Sequence, residues 1–404
     1  MKSKIIAAAL FAFTAGGVAF YPALKEVGAV NMPLPDPIQV PIIQAHTQEP
    51  PKIEVVFALD TTGSMGGLIQ ASKEKIWSIA SSMAQAKPAP EIKMGLVAYR
   101  DRGDDYVTRV VDLSEDLDSV YATLMDFSAA GGGDGPESVN QALYEAVHNI
   151  SWSQGEGAYR VVFLVGDAPP HMDYQDDVKY PQTLRDANTK GIVVNAIQAG
   201  NSHPTRLVWN KIAQAGLGQY AQVAQDGNAV AITTPFDEKL ASLSKKLDET
   251  RLYYGSKEVL EKKRQKLDAA EKLHESASVT SRARRAAFNA SKSGKSNLLG
   301  DSELVDDVSS GRVELDAIEK DHLPASIRAM APQEQRTVIA EKAQQRKALQ
   351  EEIDAFSAKR KEYLKQEVKK SGGAKDSLDH KLYSAIREQA ERTGIHYEPE
   401  APAY

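Results

Sequence analysis

The amino-acid sequence predicts an α/β protein: a doubly wound, mainly parallel, Rossmann-like sheet followed by an α-helical C-terminal region. Three observations carry this. Short, nearly continuous apolar runs recur at 53–59, 92–99, 159–165 and 191–197, the pattern of strands covered on both faces. Between them lie segments with apolar residues three and four apart, the helical period. After about residue 235 the apolar strands disappear and helical patterns remain. Strands alternating with helices argue for a parallel sheet with helices on both faces. In such sheets ligands gather outside the carboxyl ends of the strands.

Ile53-Glu54-Val55-Val56-Phe57-Ala58-Leu59 forms the first predicted strand. Residues 68–86 have helical spacing, 92–99 form a second strand and 107–111 a short third. Leu117, Val120, Leu124 and Phe127 predict one helix, and Val139, Leu143 and Val147 another. Strands follow at 159–165 and 191–197, and Leu240, Leu243 and Leu247 mark a closing helix. Residues 256–292 are charged and helical in pattern, and 291–296 read as a flexible break. Residues 333–369 form a last strong helix. In it Leu349, Ile353, Phe356 and Tyr363 recur at spacings of four, three and seven, which suits a coiled-coil or helical-hairpin seam. Gly372-Gly373 ends it, and the tail is polar.

A chain of 404 residues is too long for one ordinary core and predicts two or three units. Lys2 and Lys4 precede an apolar run over 5–13 and a small-residue exit, Gly17-Val18-Ala19. That reads as a signal peptide over 1–19 and predicts a periplasmic or secreted protein. The alternative is an uncleaved segment anchored to the inner membrane, which would then be the only membrane contact. Residues 20–50 hold Pro33, Pro35, Pro37, Pro41 and Pro50 and read as an extended linker. Residues 51–250 form the expected α/β domain, able to fold alone, and 251–404 the helical, partly coiled-coil-like region.

The formal net charge of −6 gives no overall basic field for nucleic acid. The basic residues Arg282, Arg284, Arg285, Lys292 and Lys295 have little aromatic interleaving, so stacking on bases is not expected. They read as a solvated helix. The chain has no cysteine, which excludes thiolate zinc sites, iron–sulfur clusters, disulfides and cysteine nucleophiles.

Three loops carry chemistry. Asp60-Thr61-Thr62-Gly63-Ser64 directly follows the first strand, Gly131-Gly132-Gly133-Asp134-Gly135-Pro136-Glu137 precedes a helix, and Gly166-Asp167-Ala168-Pro169-Pro170-His171 follows the strand at 159–165. A hard divalent cation takes oxygen ligands. Asp60 and Asp167 end strands at the same sheet edge. Thr62 and Ser64 offer hydroxyls at alternate positions, and Glu137 enters on a loop whose glycines let the backbone come close. These five donors nearly fill an octahedron, leaving room for water or an outside ligand. The ion expected is Mg²⁺, with Mn²⁺ or Ca²⁺ as substitutes.

Asp60-Thr61-Thr62-Gly63-Ser64 resembles the Asp-x-Ser/Thr-x-Ser metal-ion-dependent adhesion site of von Willebrand factor type A domains. Asp134-Gly135-Pro136-Glu137 with Gly166-Asp167-Ala168 is similar to the integrin β-subunit version, in which the glutamate and the later aspartate complete the metal site. Segments 59–65, 97–104 and 166–174 also resemble bacterial exported type A proteins and the type A domain of some α-kinases. The resemblance covers about half the chain. Gly66 and Gly67 stand where integrin β subunits carry the acids of an adjacent metal site, so that site is not expected. A second neighbouring site would use Asp101 and Asp134, although Gly132 stands where an asparagine ligand would be.

Asp-x-Thr-x-Ser after a strand is also a helix N-cap sequence. The triple glycine lacks the Gly-Lys-Ser/Thr ending of a phosphate loop and the dinucleotide fingerprint. An aspartyl phosphotransferase would place a second acid where Thr62 stands. His171, between Pro170 and Met172, reads as a shaping residue. Asp101, Asp104, Asp105, Asp173, Asp176 and Asp177 make the rim acidic. No motif pairs a nucleophile with a base, and no kinase pattern follows residue 250. The expected function is a non-enzymatic exported interaction module, whose protein partner donates an Asp or Glu to the metal. The alternatives are an adaptor of an ATPase-driven complex, similar to the magnesium-chelatase D subunit, and a metal-dependent hydrolase.

Overall fold

The computed structural model describes residues 49–133, 135–155, 157–227, 232–370 and 377–397, all within one compact unit spanning 49–404. The expected signal segment, nearly all of the linker, Asp134 and Gly372-Gly373 lie outside the described residues.

The sheet has six strands: β1 (Lys52–Asp60), β2 (Glu91–Tyr99), β3 (Thr108–Ser114), β4 (Ala158–Gly166), β5 (Ile192–Ala199) and β6 (Leu217–Val223). Their order is β3-β2-β1-β4-β5-β6. Every pair is parallel except β2 with β3, so the predicted mainly parallel α/β fold is what forms. The chain leaves β1 toward one edge and resumes at β4 on its other side. The β1–β4 seam is therefore the point where strand order reverses, the place where ligands bind such sheets.

Alternation along the strands sends side chains to opposite faces. Val55, Phe57 and Leu59 of β1 join Val161, Phe163 and Val165 of β4 on one face. Val56, Ala58, Val162 and Leu164 line the other. The first face is covered by α1 (Gly66–Met83) and α2 (Leu117–Asp126). The second is covered by α3 (Val139–His148), α4 (Tyr180–Thr189) and α5 (His203–Ala215). Strand β6 and helices α4 and α5 were absent from the sequence-based expectation. β6 is half-buried, with no apolar run, and α4 buries only Thr183, Leu184 and Ala187.

Helix α6 (Asp237–Asp248) leads into α7 (Lys257–Ser276), α8 (Val279–Ala290), α9 (Lys295–Leu299), α10 (Leu304–Ser309), α11 (Ala325–Arg328), α12 (Pro332–Lys370) and α13 (Leu378–Ala390). These helices are not a detached arm. Phe288 of α8 and Leu378, Leu382, Tyr383 and Ile386 of α13 belong to the same apolar core as Phe57 and Phe163. Gln389 of α13 accepts from Tyr159 Oη (2.6 Å) and Asn195 Nδ2 (3.1 Å) and donates to Asn195 Oδ1 (2.8 Å). The boundary placed near residue 250 thus runs through a shared core.

The seam of α12 is used within the chain. Leu349 and Ile353 pack on Leu240, Leu243 and Leu247 of α6 and on Ala283 and Ala286 of α8. Phe356 and Tyr363 both stand 6.4 Å from Phe236. The expected flexible break at 291–296 is a packed corner: Gly294 N donates to Ser291 Oγ (3.1 Å), and the next turn buries Asn297, whose Oδ1 accepts from Asp118 N (3.0 Å). The basic helix expected to be solvated instead buries Arg284 and Arg285, 3 % and 0 % exposed, because it lies between the domain and α12. Among the described residues no helix is long and apolar enough to cross a membrane.

Candidate functional site

Asp60 is the last residue of β1 and is fully buried. The next residues turn sharply, and Thr62 N (2.9 Å) and Oγ1 (2.7 Å) both donate to Asp60 Oδ1. A short 3-10 turn, Gly63–Met65, then leads into α1, with Ser64 exposed on it. Asp167 directly follows β4. The close pairing of β1 with β4 requires glycine at 166, where a Cβ would stand 2.4 Å from Tyr99 Oη and 2.9 Å from Asp60 Cβ.

Backbone hydrogen bonds stitch the three loops together. Gly63 N donates to Gly131 O (3.1 Å) and Ala130 N to Thr61 O (3.1 Å). Glu137 N donates to Pro169 O (2.9 Å), and His171 N donates to Glu137 O (3.1 Å). Gly131 and Gly132 have φ of 76° and 75°, a region costly for residues with a Cβ. A Cβ on Gly131 would collide with the Asp104 carboxylate at 2.2 Å. One on Gly132 would stand 3.2 Å from both Glu137 Oε1 and Thr62 Cβ, which places Glu137 close to Thr62. Arg100 braces the same loops, donating to Thr61 O (3.1 Å) and Ser128 O (2.8 Å).

The result is an acidic pocket with unspent acceptors. Asp60 Oδ2 and Glu137 Oε2 are buried without a hydrogen-bond partner. Burial pushes the Asp60 carboxyl up to about 7, repulsion from Asp167 adding to an effect that hydrogen bonds from Thr62 oppose. Burial likewise pushes Glu137 up to about 9, with repulsion from Asp60, Asp101, Asp104 and Asp167 adding to it. Asp167 Oδ2 accepts from Gln225 Nε2 (2.7 Å), which also donates to Ser64 O (3.3 Å). Asp60, Thr62, Glu137 and Asp167 thus gather at one sheet edge, with Ser64 linked to them through Gln225. Among the described residues, no group of three or more His, Asp or Glu side chains is placed to hold a metal by itself. The donor set expected here relies on hydroxyls for two of its five members.

Asp101 is committed elsewhere. It accepts from Ser138 Oγ (2.9 Å) and Tyr174 Oη (3.0 Å), and His171 Nε2 stands 3.3 Å away. His171 is buried, stacked on Tyr174 with ring centroids 4.1 Å apart, and bonded through Nδ1 to Asp173 (2.8 Å), which fits a shaping residue. The rim is less acidic than its composition implied, because Arg102 pairs with Asp176 (2.9 Å) and Asp177 (2.5 Å). Gln225 and Arg100 were not foreseen as parts of the site. Gln225 follows the unrecognised strand β6, so no sequence signal pointed to it. Arg100 directly follows β2, where no local pattern marks an arginine as a brace between loops.

Residues 54–235 match the family described as von Willebrand factor A domain. With the sheet order above, this defines the class: the chain carries a von Willebrand factor A domain. Similar sequences include von Willebrand factor A domain-containing protein 7 of Rattus norvegicus, 37 % identical over 121 residues, which are 30 % of this chain and 12 % of that protein. A putative ariadne-like RING finger protein of Acanthamoeba polyphaga mimivirus is 26 % identical over 122 residues, 30 % of this chain and 11 % of that one. The matched regions are thus about a tenth of the length of these relatives. Among solved structures, the SpRpn10 VWA domain matches with TM-score 0.34 and 11 % identity, over 43 % of this chain and 89 % of that one. Proximal thread matrix protein 1 from the mussel byssus, with a zinc-occupied MIDAS motif, matches with TM-score 0.34 and 16 % identity, over 45 % and 43 %.

Proposed function

We propose that the protein is a non-enzymatic, exported interaction module that binds a protein partner through a divalent cation at the β1–β4 switch point. The observation that carries this is the pair of buried carboxylate oxygens without partners, Asp60 Oδ2 and Glu137 Oε2, at the sheet edge where such folds bind ligands. Two buried carboxylates that repel each other call for a positive charge, since unpaired buried charge is costly. Asp60, Thr62, Ser64, Glu137 and Asp167 would hold the ion, and their all-oxygen chemistry suits Mg²⁺, with Mn²⁺ or Ca²⁺ as substitutes. A cation held by these residues would supply positive charge that could attract an outside carboxylate. Gly132 avoids a Cβ that would crowd Glu137 and Thr62, and Arg102, by pairing with Asp176 and Asp177, limits repulsion of an incoming Asp or Glu. His171 is engaged by Asp101, Asp173 and Tyr174, which supports shaping rather than proton transfer. Export rests on the basic, then apolar, then small-residue start of the sequence.

The test is affinity capture from the native extracytoplasmic fraction, with wild type and Asp60→Ala, in Mg²⁺ and in EDTA. A partner retained by wild type in Mg²⁺ and lost in both controls is the expected result. Partners held equally well by the variant in EDTA would rule the mechanism out.

A further inference from the structure

A second polar site lies away from the cation loops. Helices α1, α8 and α12 enclose a cleft of about 280 Å³, near the lower end of small-molecule pockets at about 300 Å³. Ser78 comes from α1, Arg284 from α8, and Ser357, Arg360 and Lys361 from α12. Four donor atoms on these residues are buried without a hydrogen-bond partner: Ser78 Oγ, Arg284 Nε, Ser357 Oγ and Arg360 Nη2. Ser78, Arg284 and Arg360 are 2 %, 3 % and 6 % exposed.

The charges around the cleft are unevenly paired. Arg360 Nε donates to Asp237 (2.7 Å) and Lys75 pairs with Asp379 (2.9 Å). Arg284 has only a carbonyl, Glu74 O at 3.0 Å from Nη1. Among the described residues no carboxylate stands within ion-pair distance of it. Burial, then the neighbouring Arg360, pushes the Arg284 guanidinium down to about 10, while Asp379, Asp237 and Glu74 act in the opposite direction from farther away. A buried guanidinium presents forked donors that match oxyanions, and unmade bonds at buried donors are costly. Donors arriving from three helices suit the several oxygens of a tetrahedral oxyanion, which can accept from different directions at once. Phe288 and Leu364 add apolar wall, which accommodates a small organic body beside the anion.

We propose that this cleft binds a phosphate group, free or as a small phosphomonoester, through Arg284, Arg360, Ser78 and Ser357, with the exposed Lys361 adding positive charge. The ligand would bridge the α/β domain and its C-terminal helices. The experiment is isothermal titration of the full-length protein with inorganic phosphate and, separately, with glycerol 3-phosphate, at ionic strength held constant with chloride. Saturable one-to-one binding is expected with at least one ligand. The one that binds more tightly tells free phosphate from monoester as the source. Ser78→Ala with Ser357→Ala, a change small enough to keep the fold, should weaken it by about tenfold or more, and Arg284→Met should remove it. Absence of saturable heat with either ligand overturns the proposal, as does equal affinity in wild type and the double serine variant.

Discussion

Replacing Arg285 by methionine should destabilise the whole unit. Arg285 is fully buried on α8 and spends all its donors. Nε and Nη2 bind Asp118 of α2 at 2.6 and 2.5 Å, Nη1 and Nη2 bind Asp248 of α6 at 2.7 and 3.2 Å, and Nη1 also reaches Ser244 at 2.9 Å. After the change Asp248 keeps His274 (2.7 Å) and Arg251 (3.4 Å). Among the described residues the fully buried Asp118 carboxylate keeps one hydrogen bond, from Asn297 Nδ2 at 3.5 Å. Removing one partner of a buried pair costs about 3–5 kcal/mol because the other is left charged and unpaired. Against a total stability of about 5–15 kcal/mol that is a large fraction. Urea unfolding followed by far-UV circular dichroism and tryptophan fluorescence measures it. The control is Arg312→Met, which breaks a half-exposed pair with Asp306 and Asp307 and should cost no more than about 1 kcal/mol. Adding Asp118→Leu to Arg285→Met should recover part of the loss. If Arg285→Met lies within about 1 kcal/mol of the control, the buried cluster does not hold the helices to the domain.

Acid should unfold the protein through the same cluster. Burial raises the carboxyls of Asp118, Asp248 and Asp237, but opposing effects together outweigh it: Arg285 with Lys266 for Asp118, Arg285 with Arg251 and His274 for Asp248, and Arg360 with Thr234 for Asp237, so all three sit below the usual carboxylate range. A folded-state pKa below the unfolded one gives stability that is complete above about pH 4 and is lost as pH falls through the folded value. A melting temperature that does not fall on acidification below that point would contradict this. Gly166→Ala should cost about 1–3 kcal/mol, because its methyl would meet Tyr99 Oη and Asp60 Cβ; an unchanged melting temperature argues against the tight β1–β4 seam. A fragment of residues 51–250 lacks Phe288, Leu382, Ile386 and Arg285, and should show no cooperative thermal transition. A sharp transition like that of the full chain would show that the shared core is dispensable.

The sheet was legible where strands are buried on both faces. The runs at 53–59 and 159–165 carry the fold class because central parallel strands must be apolar throughout. β6 was illegible for the converse reason: as a half-buried edge strand with glycine at 218 it has no such run. The loops after β1 and β4 could be read because a carboxylate at a strand end followed by alternate hydroxyls is a local pattern. Gln225 could not, since only the tertiary fold brings it to Asp167. The burial of Arg284 and Arg285 was also hidden. A basic helix reads as solvated until its carboxylate partners, far away in the sequence on α2 and α6, are known. The apolar spacing of α12 is legible, but periodicity does not reveal whether its partner is another chain or, as here, α6 and α8.

Thermal unfolding with and without Mg²⁺ or Mn²⁺ asks whether Asp60 and Glu137 are held together for a cation. An ion that binds only the folded state adds about 2.7 kcal/mol at one hundred times its dissociation constant. Wild type should therefore melt at a higher temperature with the ion, and Asp60→Ala and Asp167→Ala should not respond. In EDTA, Glu137→Gln should be at least as stable as wild type, because it removes a buried carboxyl whose ionisation burial and then Asp60 oppose. Equal cation-induced shifts in wild type and both alanine variants would show that these carboxylates do not hold the ion.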